Sequence, residues 1–403
     1  MFKKMMYSIG SVSLVFSMLF LAILYRYLKK NIRDFSVPFY LLTSSLLIFN
    51  YFFFDHSFKF RPEIMVMCLG FISFYFLETG LDQKKRYYFL LAGMFAGLAA
   101  FTHLNGLIYS FAGMLLLVVK RDYRNFFLFI IPAGAFSLLY LFDIHSTKDL
   151  EALVYQFKTD PNVFDKVPFY IGLLDEHLRF FHSPAEVAFS LIFIFSLVIN
   201  FKYLRSNQPD LLLYLLFLVI GLAMLAHGKS SKYLLNYMPY MSIIIASGYW
   251  KIGQQKTGVK LAGGFFMIAF ILIHGFYNIK IIRQNINISK HSMLIAGYIK
   301  DKKAKISAPA VFVFNEIVNY NTIRGEIAWD HHYYAFHPNE KKSLENYFAF
   351  TSQNGDNYII IDKTTKSREE ILDIFNYQVQ VNDSLYGFKI INRSPSLIIL
   401  KRL

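Results

Sequence analysis

Apolar residues fill the first two thirds of the chain in long runs separated by short polar clusters. Ten runs stand out, at roughly 7–25, 36–54, 64–79, 88–102, 105–119, 126–142, 187–203, 210–226, 234–250 and 259–279. Runs of this length predict spanning helices, so residues 1–279 are expected to form an all-α polytopic membrane bundle of about ten spans. Residues 143–186 interrupt the pattern as a long polar loop. Within it, Val167–Phe181 spaces its apolar residues by three and four. That suits an amphipathic helix on the membrane surface or a loop helix packed on the bundle.

From about Lys280 the pattern changes. Strand-like runs are expected at Ala310–Phe314, Tyr358–Ile361, Tyr377–Val381, Phe388–Asn392 and Ser396–Leu400. Helical spacing covers Ser289–Lys300, Ser343–Phe350 and Arg368–Phe375. Residues 280–403 therefore read as a small α/β domain outside the membrane. It carries no glycine-rich phosphate loop, zinc-ligand spacing or nucleophile elbow.

Composition supports the membrane reading. The 403 residues are 55% hydrophobic and 17% charged, with 44 Phe and 28 Tyr, which a soluble protein rarely carries in unbroken runs. A net charge of +15 would suggest nucleic acid in a soluble chain; here loop placement accounts for much of it. Loops after the odd-numbered spans hold fifteen Lys and Arg, from Arg26 to Lys260. Opposite loops hold four: Lys59, Arg61, Lys229 and Lys232. The first set is therefore cytoplasmic, and both the N-terminus and the C-terminal domain are expected outside. The first run lacks a cleavage site and reads as a true span. The single cysteine, Cys68, lies in an apolar run as a small core residue.

Candidate chemistry gathers where spans end. Asp55, His56, Lys59, Arg61 and Glu63 crowd between two runs, an expensive arrangement unless the groups face water or one another. Asp55 and Glu63 can each act as a base, hold a divalent cation or cap a helix. Glu63 after Pro62 suits a helix start. Arg61 can clamp a phosphate, or pair with Glu63 or a lipid headgroup. His103 and Asn105 sit at a second polar break, Thr102–Gly106, on the same face, where a hydrogen-bonded turn histidine is the plain alternative. In a third loop, Lys229, Lys232 and Tyr233 suit an anionic lipid phosphate, or a snorkelling and aromatic-belt role. His331 and His332 have no spaced partners and read as surface residues.

Phe60-Arg-Pro-Glu63, Gly93-Met-Phe-Ala-Gly97, Thr102-His-Leu-Asn-Gly106 and Lys232-Tyr-Leu-Leu-Asn-Tyr-Met-Pro239, in this order, resemble the GT-C membrane glycosyltransferases. The style is similar to protein O-mannosyltransferases and the lipid A aminoarabinose transferase. The resemblance implies an inverting transferase in a membrane such as the bacterial plasma membrane, moving a sugar from a polyprenyl-phosphate donor to an extracytoplasmic glycan, lipid or protein. It also implies that Glu63 is the second acid of the site and its metal ligand, where a divalent ion is used. Lys229, Lys232 and Tyr233 would meet the phosphate, and Arg61, His56, His103 and Asn105 would line the pocket. Family members usually begin with a span and a long external loop carrying a catalytic aspartate. This chain begins at what resembles the second span, so a shortened product, a degenerate member, or substitution by Asp55 are all consistent with it. A lipid transporter or flippase, or a scaffold presenting its outer domain, are the alternatives. The first calls for charges or broken helices at mid-membrane, the second for polar groups that never converge.

Overall fold

The structure, a computed structural model, describes residues 2–32, 35–58, 62–142, 144–147, 149–151, 154, 169–225, 231–283, 288–320, 322–336, 341–365 and 367–403. The chain divides into one unit built from residues 7–158 and 162–284 and another built on 285–403.

The first unit is helical. Its elements are α1 (Phe2–Asn31), α2 (Val37–Ile48), α3 (Tyr51–Phe58), α4 (Glu63–Gln83), α5 (Arg86–Thr102), α6 (Leu107–Val119) and α7 (Tyr123–Ser137). The short α8 (Phe169–Leu174) and α9 (His177–Phe181) follow, then α10 (Pro184–Asn207), α11 (Pro209–Leu225), α12 (Met238–Trp250) and α13 (Thr257–Arg283). All ten apolar runs fall on helices, but not as ten equal spans. Among the described residues five helices are long and apolar enough to cross a membrane, and α2 with α3 makes a sixth, bent by 75°. The helices α6, with the turn before it, and α11 are shorter.

The bend is a departure from the single span expected over 36–54. It frees backbone groups that hydrocarbon cannot satisfy. Two residues one turn apart on α13 meet them. The Tyr51 N–H donates to His274 Nδ1 at 2.9 Å, and Asn278 Nδ2 donates to the Phe49 carbonyl at 2.8 Å. Asn50 adds its own side chain, accepting from the Phe52 N–H at 3.0 Å.

Packing explains two sequence features. Gly93 and Gly97 of α5 lie against α7 so closely that a Cβ at either would meet the carbonyl of Phe129 or Ala133 at 2.1 or 2.5 Å. The G-x-x-x-G spacing is thus a backbone-to-backbone contact. The many aromatics form the core: the Phe74 ring lies 4.5 Å from Tyr214, 5.2 Å from Tyr240 and 5.7 Å from Tyr27. Cys68 is buried and free.

The second unit is α/β. Its elements are α14 (Ile288–Ala296), β1 (Lys305–Ala308), α15 (Ala310–Glu316), β2 (Thr322–Gly325), α16 (Glu326–Phe336), α17 (Leu344–Gln353), β3 (Tyr358–Asp362), α18 (Glu369–Leu372), β4 (Ser384–Leu385), β5 (Phe388–Arg393) and β6 (Leu397–Arg402). One sheet runs β2-β1-β3-β6-β5-β4, with β1 parallel to β2 and β3 and the other pairs antiparallel. Both faces are covered, so β3 is buried at every position. Ile359 and Ile361 pack with Trp329 and Tyr347 on one side; Ile360 packs with Ile295 and Phe312 on the other.

Two expected strands are not strands. Ala310–Phe314 is the helix α15, started by Pro309 and burying Phe312 and Glu316 four residues apart while Phe314 stays exposed. Its β-branched, aromatic content suits a strand, but the neighbouring Lys305–Ala308 takes that place in the sheet. Tyr377–Val381 is irregular because side chains and a turn satisfy its surroundings: Arg393 Nη2 donates to the Tyr377 carbonyl at 2.7 Å, and the Gln380 N–H donates to Asp383 Oδ2 at 2.6 Å. The strands β1, β2 and β4 and the helix α16 were not legible in the sequence. His332 on α16 lies beside the Phe350 ring, centroids 5.1 Å apart.

At the ends of the parallel strands, Glu326 is almost wholly buried. Burial pushes its carboxyl from about 4.5 up to about 7, against the lowering effect of bonds from Ser367 and the Arg368 N–H. The folded state thus holds this proton more tightly than the unfolded chain, so the stability it contributes is present at low pH and lost as pH rises from about 4.5 to 7, by about 3 kcal/mol. Hydrogen exchange of the β3 amides across this range should show wild type losing protection relative to Glu326→Gln. Parallel pH dependence in the two chains would contradict the assignment.

Candidate functional site

Glu63 is the first residue of α4, directly after Pro62. Proline fixes the entry angle, and the positive end of the helix favours an acid there. The side chain is buried despite its charge. Facing it is the 3-10 turn Ser231–Asn236, which precedes α12. Its Lys232 Nζ lies 4.0 Å from Glu63 Oε1 and 4.9 Å from the centre of the Tyr233 ring. The third member is His103, at the extended residue between α5 and the Leu104–Gly106 turn, its ring centroid 6.2 Å from that of Tyr233.

Asn105 acts through His103. Its backbone N–H donates to His103 Nδ1 at 3.2 Å, so the neutral ring carries its proton on Nε2. Burial lowers the His103 pKa; the Glu63 carboxylate opposes that shift and the Lys232 ammonium adds to it. The ring is therefore neutral at physiological pH and offers Nε2 as a donor.

Three residues of this locality were missed in the sequence. Arg179 on α9 is wholly buried, its guanidinium 5.4 Å from the centre of the Tyr233 ring. It is held by Glu176, with Nε donating to Oε1 at 2.7 Å. The Tyr237 hydroxyl donates to the same Oε1 at 2.9 Å, and the Tyr237 ring stacks on Phe180 at 5.5 Å between centroids. The run expected as a surface amphipathic helix or a loop helix packed on the bundle forms two short helices, α8 and α9, interrupted at Asp175–Glu176, with residues 167–168 outside the described residues. Its available signal was the acid and base three residues apart, a spacing that permits pairing and desolvation together. The turn is braced from behind by Tyr109, whose hydroxyl donates to Asn236 Oδ1 at 3.1 Å and whose ring occupies the space a Cβ at Gly70 would need.

Asp55 and His56 lie side by side near the end of α3. Both are buried, Asp55 Oδ2 lies 3.8 Å from His56 Nδ1, and that nitrogen is 2.9 Å from the Phe52 carbonyl. Arg61 and Lys229 lie outside the described residues. The metal role expected of Glu63 finds no matching donor set: among the described residues no three His, Cys, Asp or Glu side chains gather as ligands. Glu63 faces an ammonium instead, which competes with any cation for its oxygens.

Residues 1–144 match the family described as dolichyl-phosphate-mannose-protein mannosyltransferase. The whole fold is similar to ArnT from Cupriavidus metallidurans, solved bound to undecaprenyl phosphate and in the apo state. Each comparison gives a TM-score of 0.56 at 9% identity, covering 97% of this chain and 83% of that one. No curated protein matches the sequence. The family match agrees with the resemblance over residues 1–144, the structural match shows a shared fold, and the apolar helices make the chain an integral membrane protein.

The Glu176–Arg179 pair is open to a direct test. Glu176→Gln keeps the shape and an acceptor but removes a charge from a buried pair, which typically costs about 3–5 kcal/mol. Thermal unfolding in detergent should show a marked loss of stability, largely recovered in Glu176→Gln/Arg179→Met. An unchanged midpoint in the single variant would show that the pair does not hold the Tyr233 turn.

Proposed function

We propose that this chain is a membrane glycosyltransferase of the GT-C type, which moves a sugar from a polyprenyl-phosphate donor to an extracytoplasmic acceptor with inversion. The carrying observation is the approach of Glu63, Lys232, His103 and Tyr233, contributed by α4, the Ser231–Asn236 turn and the α5–α6 turn. The match of residues 1–144 and the undecaprenyl phosphate of the structural neighbour support the donor class.

Each group has a chemical task in this reading. Transfer needs a base for the acceptor hydroxyl and positive charge for the departing phosphate. Glu63 takes the hydroxyl proton as the acceptor oxygen bonds to the anomeric carbon. The bond from that carbon to the phosphate oxygen breaks, and its electron pair leaves on the lipid phosphate. Lys232 and His103 Nε2–H meet the departing oxygens, while the Arg179–Glu176 pair holds the Tyr233 turn in place. Burial strengthens these interactions by excluding water. Asp55, with His56, is the reserve candidate for the base. Arg61 and Lys229 are proposed as further phosphate contacts, and the second unit as an extracytoplasmic domain.

A scaffold gives these polar groups no reason to meet. The bent α2–α3 pair would suit a transporter, but His274 and Asn278 close its backbone. Glu63→Gln in proteoliposomes supplied with polyprenyl-phosphate sugars should lower transfer by at least ~100-fold while the chain still binds the lipid phosphate. Lys232→Ala should weaken that binding about tenfold or more. Full transfer by Glu63→Gln would remove Glu63 from the base role.

A further inference from the structure

The second unit contains a crevice that the transferase reading leaves unused. The chain passes from β1 to β2 on one side of β1, then crosses back to β3 on the other, so the strand order reverses at β1. Ligands of open α/β sheets bind outside the carboxyl ends of the strands at such a reversal. At those ends lies a cavity of about 440 Å³, within the range of small-ligand pockets. Ala310 follows β1, Glu326 and Ile327 follow β2, and Ser367 and Arg368 follow β3 on its walls.

Its polar groups are built into the fold. The Asp362 N–H donates to Ser367 Oγ at 2.9 Å, and Ser367 in turn donates to Glu326 Oε1 at 2.7 Å. The Arg368 N–H donates to Glu326 Oε2 at 3.0 Å. The buried carboxyl group is therefore fixed in place by the end of β3, one oxygen accepting from Ser367 and the other from the Arg368 N–H. Arg368 Nη2 lies 3.1 Å from Asp330 Oδ2, an aspartate whose other oxygen Lys342 contacts, so the guanidinium is drawn toward that carboxylate. Glu369 and Glu370 add two more acceptors to the wall.

This inventory selects the ligand. The crevice is rich in acceptors, with the carboxyl groups of Glu326, Glu369 and Glu370 against one guanidinium that shares Asp330 with Lys342. A phosphate or carboxylate would be repelled, and no aromatic ring lines the wall for a base to stack on. A donor-rich molecule with a small apolar face fits: hydroxyl or amino groups toward Glu326 and the rim, carbon edges toward Ala310 and Ile327. We propose that the crevice at the carboxyl ends of β1, β2 and β3 binds a neutral or cationic sugar. This site is independent of the transferase reading.

Saturation-transfer NMR on the full chain in nanodiscs tests the assignment, with glucose, glucosamine, glucose 6-phosphate and putrescine as probes. Glucose and glucosamine should both give signal, and glucose 6-phosphate should bind at least about tenfold more weakly. Ala310→Trp, which fills the crevice from its exposed wall without touching the Glu326 network, should reduce sugar binding about tenfold, as should Glu326→Gln. Glu63→Gln should leave it unchanged, separating this site from the transferase centre. Absence of any sugar signal, signal insensitive to Ala310→Trp, or tighter binding of glucose 6-phosphate would overturn the proposal. Binding of putrescine without glucose would make the crevice an amine site and overturn it equally.

Discussion

Hydrocarbon offers a polar group no partner, and the membrane unit is shaped by that constraint. Where α2 breaks from α3, the freed Tyr51 N–H and Phe49 carbonyl find His274 and Asn278 on a helix more than two hundred residues away in sequence. Where α4 begins, Glu63 finds Lys232. Where α9 is buried, Arg179 brings Glu176 with it, and Tyr237 completes the pair. The same pressure that keeps these charges from lipid brings them to one locality, and a locality with fixed, desolvated charges is what transfer chemistry requires.

Legibility in the sequence followed the range of the forces. Helix placement in the membrane unit was legible because it depends on local apolar length, and the helix start at Glu63 because proline and an acid act within one turn. The bend at Phe49–Asn50 was not, since its partners lie on α13. Arg179 went unnoticed for the same reason: three- and four-residue apolar steps describe a helix on a surface as well as one packed inside, and only Tyr233 and Glu176 decide between them. In the second unit, β3 and β6 were clear as runs of buried isoleucine and leucine. Ala310–Phe314 misled because strand composition was overridden by Pro309 and by the one-sided burial of Phe312 and Glu316.

The candidate site divides similarly. Glu63, His103, Lys232 and Tyr233 were readable as polar residues at span ends, and their approach required the fold. Asn105 was named as a lining residue, and its backbone N–H fixes the His103 tautomer. The metal expected on Glu63 belonged to the family resemblance, and the Lys232 ammonium lies 4.0 Å from that carboxylate.

The central claim is that this locality holds a lipid phosphate. A structure of the chain in nanodiscs with undecaprenyl phosphate tests it most directly. The account predicts the phosphate within about 3 Å of Lys232 Nζ, beside His103 and the Tyr233 ring, with Glu63 facing the open side. A phosphate seated elsewhere with Lys232 still on Glu63 would contradict it.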